Sequence, residues 1–233
     1  MRLAHRGDWR EGPENSLVAI VAGARAARSD GVEIDVRLAA DGIPVVIHDR
    51  SLRRIHGVDA DVAELSASEL AAVGVPTLSA ALAALPTEAL VDVEFKVPPN
   101  ATAIAILLAA KGPDPDRAIV SSFHPDALVD LAARLPGWPR WLNVERVPGR
   151  DDVRIGDAVA QAVALDCVAI AVDWPLITPA IVRLARGSGL DIVAWTVRRE
   201  PTVRRLERLG VAAVIIEGRP LDLRDDAVPR MPT

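Results

Sequence analysis

The sequence contains few cysteines, lysines and aromatic residues. Its one cysteine, Cys167, has no partner for a disulfide and lies in an apolar run, which favours a reducing compartment and a packing role over a reactive one. Aromatic residues make up 3 % of the chain, and the net charge is −5. A basic surface with aromatic stacking platforms, as nucleic-acid-binding proteins have, is therefore not expected. Only Lys96 and Lys111 are lysines among 27 basic residues, so a lysine retained in a strand, Lys96, is notable.

Long hydrophobic runs are also absent. The longest uncharged apolar run, residues 101–110, is about half as long as a bilayer-spanning helix requires. Met1 is followed within four residues by a polar His-Arg-Gly sequence, which leaves no room for a signal peptide. We therefore expect no integral membrane segment and a cytoplasmic protein. Hydrophobic residues make up 50 % of 233, which predicts a substantial core, and we expect one domain, residues 1–233.

Short β-branched runs alternate with helical segments over most of the chain. Asn100, Pro125, Thr178 and Glu200 are predicted to open helices. Eight runs are predicted to be strands: 2–6, 32–36, 91–96, 118–122, 140–144, 168–172, 191–197 and 212–216. Eight parallel β–α units in roughly 250 residues are typical of the (β/α)8 barrel. An open doubly wound sheet is the alternative, but no glycine-rich phosphate-binding sequence follows the first strand. The predicted fold class is therefore α/β, a (β/α)8 TIM-type barrel.

A further β run, residues 44–48, lies too close to the second strand to be another parallel unit. Only about seven residues separate the two runs, whereas a parallel crossover needs a dozen or more. We predict a β-hairpin extension after strand two, with Asp41 and Gly42 as a two-residue turn. In that register residue 36 pairs with residue 47, and Asp35 faces His48. Two short amphipathic helices are expected between this hairpin and the third strand.

Carboxylates interrupt the second and third predicted strands. Glu33 and Asp35 point to one face of their strand, as Glu94 and Lys96 do on the next. Active sites of such barrels lie at the carboxyl ends of the strands, and carboxylates this close repel each other unless a cation lies between them. Glu33, Asp35 and Glu94, without cysteine, predict a site for one hard divalent cation, Mg²⁺ or Ca²⁺. The alternative is a buried ion-pair network with Arg6 and Lys96 and no metal.

Two of the four histidines lie near these carboxylates. His5 ends the first predicted strand, and His48 ends the hairpin opposite a predicted metal ligand. Such a pair is suited to general acid and base catalysis. His56 is predicted to be a loop residue, and His124 has no acidic cluster beside it. Asp92 lies one step deeper on the carboxylate face and has no predicted role.

Six sequence motifs occur in an order that resembles the glycerophosphodiester phosphodiesterase family. They are LAHRG (3–7), PENS (13–16), VEIDVRLAADGIPVVIHD (32–49), VEFK (93–96), SSF (121–123) and WTV (195–197). Each motif alone is weak, but the ordered set covers nearly the whole chain. The resemblance implies a TIM-type barrel that binds a divalent cation. It also implies hydrolysis of a small-molecule phosphodiester to sn-glycerol 3-phosphate and an alcohol.

The resemblance further implies roles for single residues. These are His5 and His48 as catalytic residues, Glu33, Asp35 and Glu94 as metal ligands, and Arg6, Lys96 and Trp195 as substrate-binding residues. Asn15 matches a loop asparagine of the family, although a helix cap explains it equally well. In the family, one histidine takes a proton from the attacking hydroxyl, often that of the substrate's own glycerol. The other histidine protonates the leaving alkoxide.

The chain departs from the family pattern at three places. Residues 217–220 read Glu-Gly-Arg-Pro where a Thr-Asp pair commonly precedes the proline. Arg198 stands where asparagine often follows the tryptophan motif, and residues 54–57 replace a threonine-rich sequence. All three are expected to border the pocket, so they put the choice of substrate in doubt.

Two other functions stay open at this point. One is a lysophospholipase D, whose acylated substrate would lie against apolar loops around Trp9, Leu142 and Trp174. The other is a non-catalytic phosphate-binding barrel, because a fold does not imply a function. The leaving alcohol, the native cation and the oligomeric state are not predicted.

Overall fold

The computed structural model describes residues 1–96, 101–145 and 153–222. In these ranges the strands are β1 (Arg2–His5), β2 (Gly31–Leu38), β3 (Pro44–Val46), β4 (Leu90–Phe95), β5 (Ala118–Ser122), β6 (Arg140–Val144), β7 (Ala169–Asp173), β8 (Asp191–Val197) and β9 (Ala213–Ile216). The helices are α1 (Leu17–Arg25), α2 (Arg53–His56), α3 (Ala67–Ala72), α4 (Leu78–Ala84), α5 (Ala101–Lys111), α6 (Pro125–Arg134), α7 (Val153–Ala164), α8 (Pro179–Gly187) and α9 (Glu200–Leu209).

Eight of the strands form a closed parallel barrel. The order of neighbours is β1-β9-β8-β7-β6-β5-β4-β2, and β1 also pairs with β2, which closes the ring. β3 pairs antiparallel with β2 and lies outside the ring. The predicted (β/α)8 barrel with a hairpin extension after strand two is therefore confirmed. Each of the eight predicted barrel strands is present, with ends that differ by at most two residues.

Side chains alternate between the two faces of the barrel wall. Val32, Ile34 and Val36 of β2 point outward and belong to the main core, which the surrounding helices complete. Inward-pointing residues of other strands, such as Leu3 and Trp141, fill the lower interior of the barrel. The interior is thus closed by apolar side chains at one end, and polar side chains are left to the carboxyl end.

The remaining predictions about elements and packing have mixed outcomes. Cys167 is buried in the main core, where burial raises the pKa of its thiol to about 11, so the predicted packing role is confirmed. Helices α6, α8 and α9 begin where predicted, with the Thr178 side chain accepting a hydrogen bond from the Ile181 N–H. The predicted cap at Asn100 lies outside the described residues. Within the described ranges, no helix has the length and apolarity to span a bilayer.

The segment between β3 and β4 differs from its prediction in one respect. The two expected amphipathic helices are present as α3 and α4. A third short helix, α2, precedes them, and His56 is its last residue rather than a loop residue. The hairpin, α3 and the loop segments next to them share a small apolar cluster of their own, whereas Leu78 and Ala81 of α4 belong to the main core.

The predicted hairpin register is wrong by one residue. Val36 pairs with Val46 rather than with residue 47, and the Ile47 N–H donates to the Asp35 carbonyl at 2.9 Å. The turn has three residues, 40–42, and only Gly42 has a positive φ, +78°. A two-residue type I′ turn would need positive φ at Asp41 as well, which a three-residue turn with glycine last avoids. His48 consequently lies one residue beyond the partner of Asp35.

Substitution of Gly42 tests this turn. We expect Gly42→Ala to lower the free energy of unfolding by about 1 to 2 kcal/mol, because an L-residue at this φ is strained. A Cβ there would meet no atom within 4 Å, so strain alone acts. Denaturant unfolding measures the change, and Gly187→Ala at the end of α8, also free of contacts, is the matched control. Equal destabilisation by both variants would contradict the observed turn.

Candidate active site

A cavity of about 550 Å³ opens at the carboxyl ends of the barrel strands. Seven of the eight residues predicted for the site line it, namely His5, Arg6, Glu33, His48, Glu94, Lys96 and Trp195. The eighth, Asp35, is fully buried, and both Arg6 and Lys96 form ion pairs with it. The structure therefore brings the whole predicted set to one place.

The register between adjacent strands brings the three predicted metal ligands together. β1 and β2 place His5 beside Glu33, and β2 and β4 place Asp35 beside Glu94. All four side chains belong to the inward-pointing set of their strands. One ligand oxygen from each of Glu33, Asp35 and Glu94 lies within 4.8 Å of the others. This spacing suits the coordination of a single ion.

The donor set fits a hard divalent cation. Glu33 Oε1 is buried and accepts no hydrogen bond from the described part of the chain, whereas the buried oxygens Asp35 Oδ1 and Glu94 Oε1 contact the Lys96 ammonium. Buried carboxylate oxygens without hydrogen bonds are costly unless a cation satisfies them. Three oxygen ligands without sulfur or imidazole favour Mg²⁺ or Ca²⁺ over zinc.

The metal-free ion-pair network considered as an alternative is present only in part. Lys96 Nζ lies 3.0 Å from Asp35 Oδ1 and also contacts Glu94, and Arg6 Nε lies 3.1 Å from Asp35 Oδ2. Asp92, which pairs with Glu33 in the register, adds a fourth buried carboxylate. Four carboxyl groups thus face two cationic side chains. When all four are ionised, two negative charges are in excess, and one divalent cation would balance them.

The pKa values of these carboxylates show the same imbalance. Burial, followed by the charge of Asp35, raises the pKa of Glu33 well above its usual range, and burial does the same for Asp92. Burial likewise raises the pKa of Glu94 to about 7. Burial alone would also raise the pKa of Asp35, but Lys96 and Arg6 hold it well below its usual range. A metal ion would therefore compete with protons for the oxygens of this cluster.

Asp92 lines the same cavity below the cluster. It is buried and forms no ion pair with an arginine of the described ranges. Its carboxyl group forms a hydrogen bond with Ser121 of β5. Burial raises the pKa of this group and so favours its neutral form more than that of an exposed aspartate.

The two predicted catalytic histidines enter the cavity from different elements. His5 Nε2 lies 4.0 Å from Glu33 Oε2, and His5 Nδ1 lies 3.7 Å from Glu217 Oε2. His48 follows β3, and its Nδ1 lies 2.7 Å from Asp49 Oδ1. Burial lowers the pKa of both imidazoles, which favours their neutral forms.

Asn15 positions a predicted metal ligand instead of capping a helix. Its Nδ2 donates to Asp35 Oδ2 at 2.7 Å, and the Asp35 N–H donates to Asn15 Oδ1 at 3.2 Å. The cap of α1 is Ser16, the next residue. Asn15 has a positive φ of 62°, which asparagine tolerates better than most residues. Of the two explanations that the sequence allowed, the structure supports the role in the loop.

Two departures from the family pattern form one ion pair at the cavity. Arg198 Nε donates to Glu217 Oε2 at 2.8 Å, and Glu217 lies beside His5. Sequence reasoning placed both at the border of the pocket but did not connect them. Each directly follows a barrel strand, β8 or β9, and this position at the carboxyl end was the available signal.

The aromatic wall of the cavity is formed by residues other than most of those considered for an acyl chain. Trp195 Nε1 donates to the Ala171 carbonyl at 2.9 Å, and its ring meets Phe123 edge to face at 5.5 Å. Leu142 is buried in the main core, and Trp174 packs against that core. Leu142 belongs to β6 and not to a loop, and of these three residues Trp9 alone lines the cavity, where it is 46 % exposed.

Comparison with known proteins agrees with this site. The sequence profile described as "Glycerophosphoryl diester phosphodiesterase family" matches residues 5–217. The chain belongs to this family. It is accordingly an enzyme, a phosphoric diester hydrolase, and the motif resemblance is confirmed.

Relatives resemble the chain over most of its length. A glycerophosphodiester phosphodiesterase of Caldanaerobacter subterraneus subsp. tengcongensis is 25 % identical, covering 92 % of this chain and 93 % of its own. The uncharacterized protein YqiK of Bacillus subtilis is 29 % identical, covering 89 % of this chain and 90 % of its own. A crystal structure of a Thermotoga maritima glycerophosphodiester phosphodiesterase has a TM-score of 0.77 at 24 % identity, covering 92 % and 93 % of the two chains.

One solved structure contains a reaction product. The phosphodiesterase of Oleispira antarctica, in complex with the product sn-glycerol-3-phosphate, is 25 % identical and has a TM-score of 0.81. The match covers 93 % of this chain and 92 % of that one. This phosphodiesterase, which has a similar fold, thus binds sn-glycerol-3-phosphate as its product.

Proposed function

We propose that the protein hydrolyses glycerophosphodiesters to sn-glycerol 3-phosphate and an alcohol, with one divalent cation as its cofactor. The observation that carries the proposal is the cavity that joins three clustered carboxylates, two histidines, Arg6 and Lys96. The Oleispira relative's product complex supports the identity of the phosphorylated product. One domain over residues 1–233 and a cytoplasmic location stay predictions.

The cation would be held by Glu33, Asp35 and Glu94, which each offer a ligand oxygen within 4.8 Å of the others. The oxygen ligands favour Mg²⁺ or Ca²⁺. When bound, the ion supplies positive charge that stabilises the charge developing on the phosphoryl oxygens. Lys96, which pairs with Asp35 and lines the cavity, would direct its charge at the substrate phosphate.

Arg6 and Lys96 would bind the phosphodiester. Both are cationic and reach the carboxylate cluster at the wall of the cavity, where burial makes their charge effective. Desolvation alone would lower the pKa of Lys96, but Asp35 and Glu94 raise it, so the ammonium stays protonated. Trp195, locked by its hydrogen bond to β7, would form a fixed apolar wall beside the glycerol.

His5 and His48 would move the protons of the reaction. One imidazole accepts the proton of the attacking hydroxyl while the hydroxyl oxygen forms a bond to phosphorus. The other donates a proton to the alcohol oxygen as the bond between that oxygen and phosphorus breaks. The attacking hydroxyl is that of water or of the substrate's own glycerol, and in the second case water opens the resulting cyclic phosphate.

A substrate panel tests this function. Purified protein is incubated with glycerophosphocholine, glycerophosphoethanolamine, glycerophosphoglycerol and lysophosphatidylcholine, each with Mg²⁺, with Ca²⁺ or with a chelator, and glycerol 3-phosphate is measured enzymatically. We expect release from the deacylated substrates, its loss with the chelator and its recovery on adding metal. Faster turnover of the lysolipid would favour the lysophospholipase D alternative. Folded, metal-binding protein that releases no product from any substrate would indicate a non-catalytic barrel.

A further inference from the structure

A chain of ion pairs connects Arg6 to His48 along the rim of the cavity. Arg6 Nη1 donates to Glu14 Oε1 at 2.8 Å, and Arg54 Nη1 donates to Glu14 Oε2 at 3.0 Å. Arg54 Nη2 also donates to Asp49 Oδ1 at 3.0 Å. The same Asp49 oxygen lies 2.7 Å from His48 Nδ1. Arg6 and His48, which both take part in the proposed reaction, are thereby connected through Glu14, Arg54 and Asp49.

The three connecting residues come from different parts of the chain. Glu14 lies in the loop after β1, Asp49 directly follows His48, and Arg54 belongs to α2. Arg54 contacts both carboxylates through two of its nitrogens each, a geometry that fixes a guanidinium well. Its side chain is nevertheless 48 % exposed. Exposed ion pairs contribute little to folding stability, so stability alone does not account for this network.

The contact with Asp49 determines which nitrogen of His48 carries a proton. Hydrogen bonding to Arg54 holds the pKa of Asp49 at about 2, so at neutral pH its carboxylate can only accept hydrogen bonds. His48 Nδ1 must therefore carry the hydrogen that this bond needs. Nε2 is the nitrogen left for proton exchange in the cavity. The Arg37 Nε also donates to the His48 carbonyl at 2.8 Å, which fixes the backbone of His48.

We propose that Asp49, Arg54 and Glu14 are positioning residues that hold His48 with Nδ1–H toward Asp49 and Nε2 toward the cavity. This role rests on the proposed function, in which His48 exchanges a proton with the substrate. Arg54 fixes Asp49, and Glu14 fixes Arg54 while also binding Arg6. One network then fixes the position of the Arg6 guanidinium, which would bind the phosphate, relative to the His48 imidazole.

Asp49→Asn and Arg54→Gln test the proposal through kinetics. We expect each to lower kcat by about 10- to 100-fold, which is less than the whole contribution of an acid or base. KM is expected to change by no more than about threefold, because neither residue is proposed to touch the substrate. A purely structural role would instead lower the fraction of active enzyme, which active-site titration or thermal unfolding detects.

Histidine ring nitrogens report the same role without any turnover. Long-range ¹H–¹⁵N spectra of the wild-type protein, assigned with His48→Ala, are expected to show neutral His48 protonated at Nδ1. In Asp49→Asn the side-chain amide can present either its oxygen or its NH₂ to the ring, so a mixed pattern or the Nε2–H form is expected. Arg54→Gln is expected to shift the His48 signals in the same direction by a smaller amount.

Matched controls lie on the same short segment. Arg53 neighbours Arg54 in α2 and pairs with Asp59, and both of these side chains are largely exposed to solvent. Arg53→Gln and Asp59→Asn make the same chemical changes outside the network. We expect both to keep wild-type kcat and the wild-type His48 spectrum.

The outcomes separate this proposal from the proposed function. Wild-type His48 protonated at Nε2 would overturn the positioning role, whatever the variants do. Unchanged kcat and spectrum in folded Asp49→Asn would overturn it too. Protein with the expected Nδ1–H form but no activity on any glycerophosphodiester would support the positioning of His48, while contradicting the proposed function.

Discussion

Replacing His48 with alanine is expected to lower kcat by about 10²- to 10⁴-fold, the usual contribution of one acid or base. The reason is geometric, since His48 lines the cavity and its Nδ1 is engaged by Asp49. Affinity for the divalent cation should stay near the wild-type value, because no ligand oxygen is removed. Steady-state kinetics with glycerophosphocholine and calorimetric titration with Mg²⁺ measure the two effects.

His56→Ala is the matched control for His48→Ala. His56 lies eight positions further along the chain at the end of α2, and it does not belong to the cavity lining. We expect kcat of this variant to equal that of the wild type. If His48→Ala retained more than about a tenth of the wild-type kcat, an acid or base role for this residue would be excluded.

Glu94→Gln is expected to produce the second large effect, on metal binding. It removes one of three charged ligands at nearly constant volume. Loss of metal affinity should therefore exceed the roughly 10- to 100-fold typical of a residue that only supports a ligand. Activity should fall with it at any attainable metal concentration. Calorimetric titration of wild type and variant with Mg²⁺ and Ca²⁺ gives the affinities directly.

The same variant should not destabilise the metal-free protein. Burial raises the pKa of Glu94 to about 7, above the value of an unfolded glutamate, so ionisation of this group opposes folding as pH rises through 7. A neutral glutamine removes that penalty, and we expect an equal or higher thermal midpoint at pH 8. Asp191→Asn, at the exposed first position of β8 and the opposite end of the barrel, is the control. Unchanged metal affinity in Glu94→Gln would refute its role as a ligand.

The sequence predicted the barrel because parallel strands that are buried on both faces give short, nearly continuous apolar runs, and these alternate regularly with helical segments. The strand alternation also predicted that Glu33 and Asp35 share a face, and both are buried at the site. What the sequence did not contain was the pairing between strands. The register that sets Asp35 beside Glu94 and His5 beside Glu33 follows from barrel closure, which involves the whole ring.

The hairpin shows why local reasoning failed there. Asp41 and Gly42 satisfy the sequence preference of a two-residue turn, yet the Asp41 side chain accepts hydrogen bonds from the N–H groups of Ile43 and Ala67. The second of these bonds joins the turn to α3, a contact that the turn sequence alone does not contain. The observed turn has three residues instead of two. Every later residue of the hairpin is therefore shifted by one position relative to β2. His48 nevertheless lines the cavity, although its predicted pairing with Asp35 was wrong.

The ion pairs around the histidines could not be predicted for a related reason. Arg198 and Glu217 are separated by a whole β–α unit, and Glu14 and Arg54 come from loops whose spacing in sequence carries no signal. Charged residues in loops are normally read as solvated surface. Only the assembled carboxyl end of the barrel shows that these four residues meet at one cavity.

The most direct test of the metal-dependent site is an anomalous difference map from crystals soaked in Mn²⁺, measured near the manganese absorption edge. We expect one strong peak between Glu33, Asp35 and Glu94, at about 2.0 to 2.5 Å from an oxygen of each, the range for hard divalent cations. The peak should disappear in crystals of Glu94→Gln. Density that shows Lys96 Nζ still bound between Asp35 and Glu94, with no peak in the cluster at saturating Mn²⁺, would contradict the site.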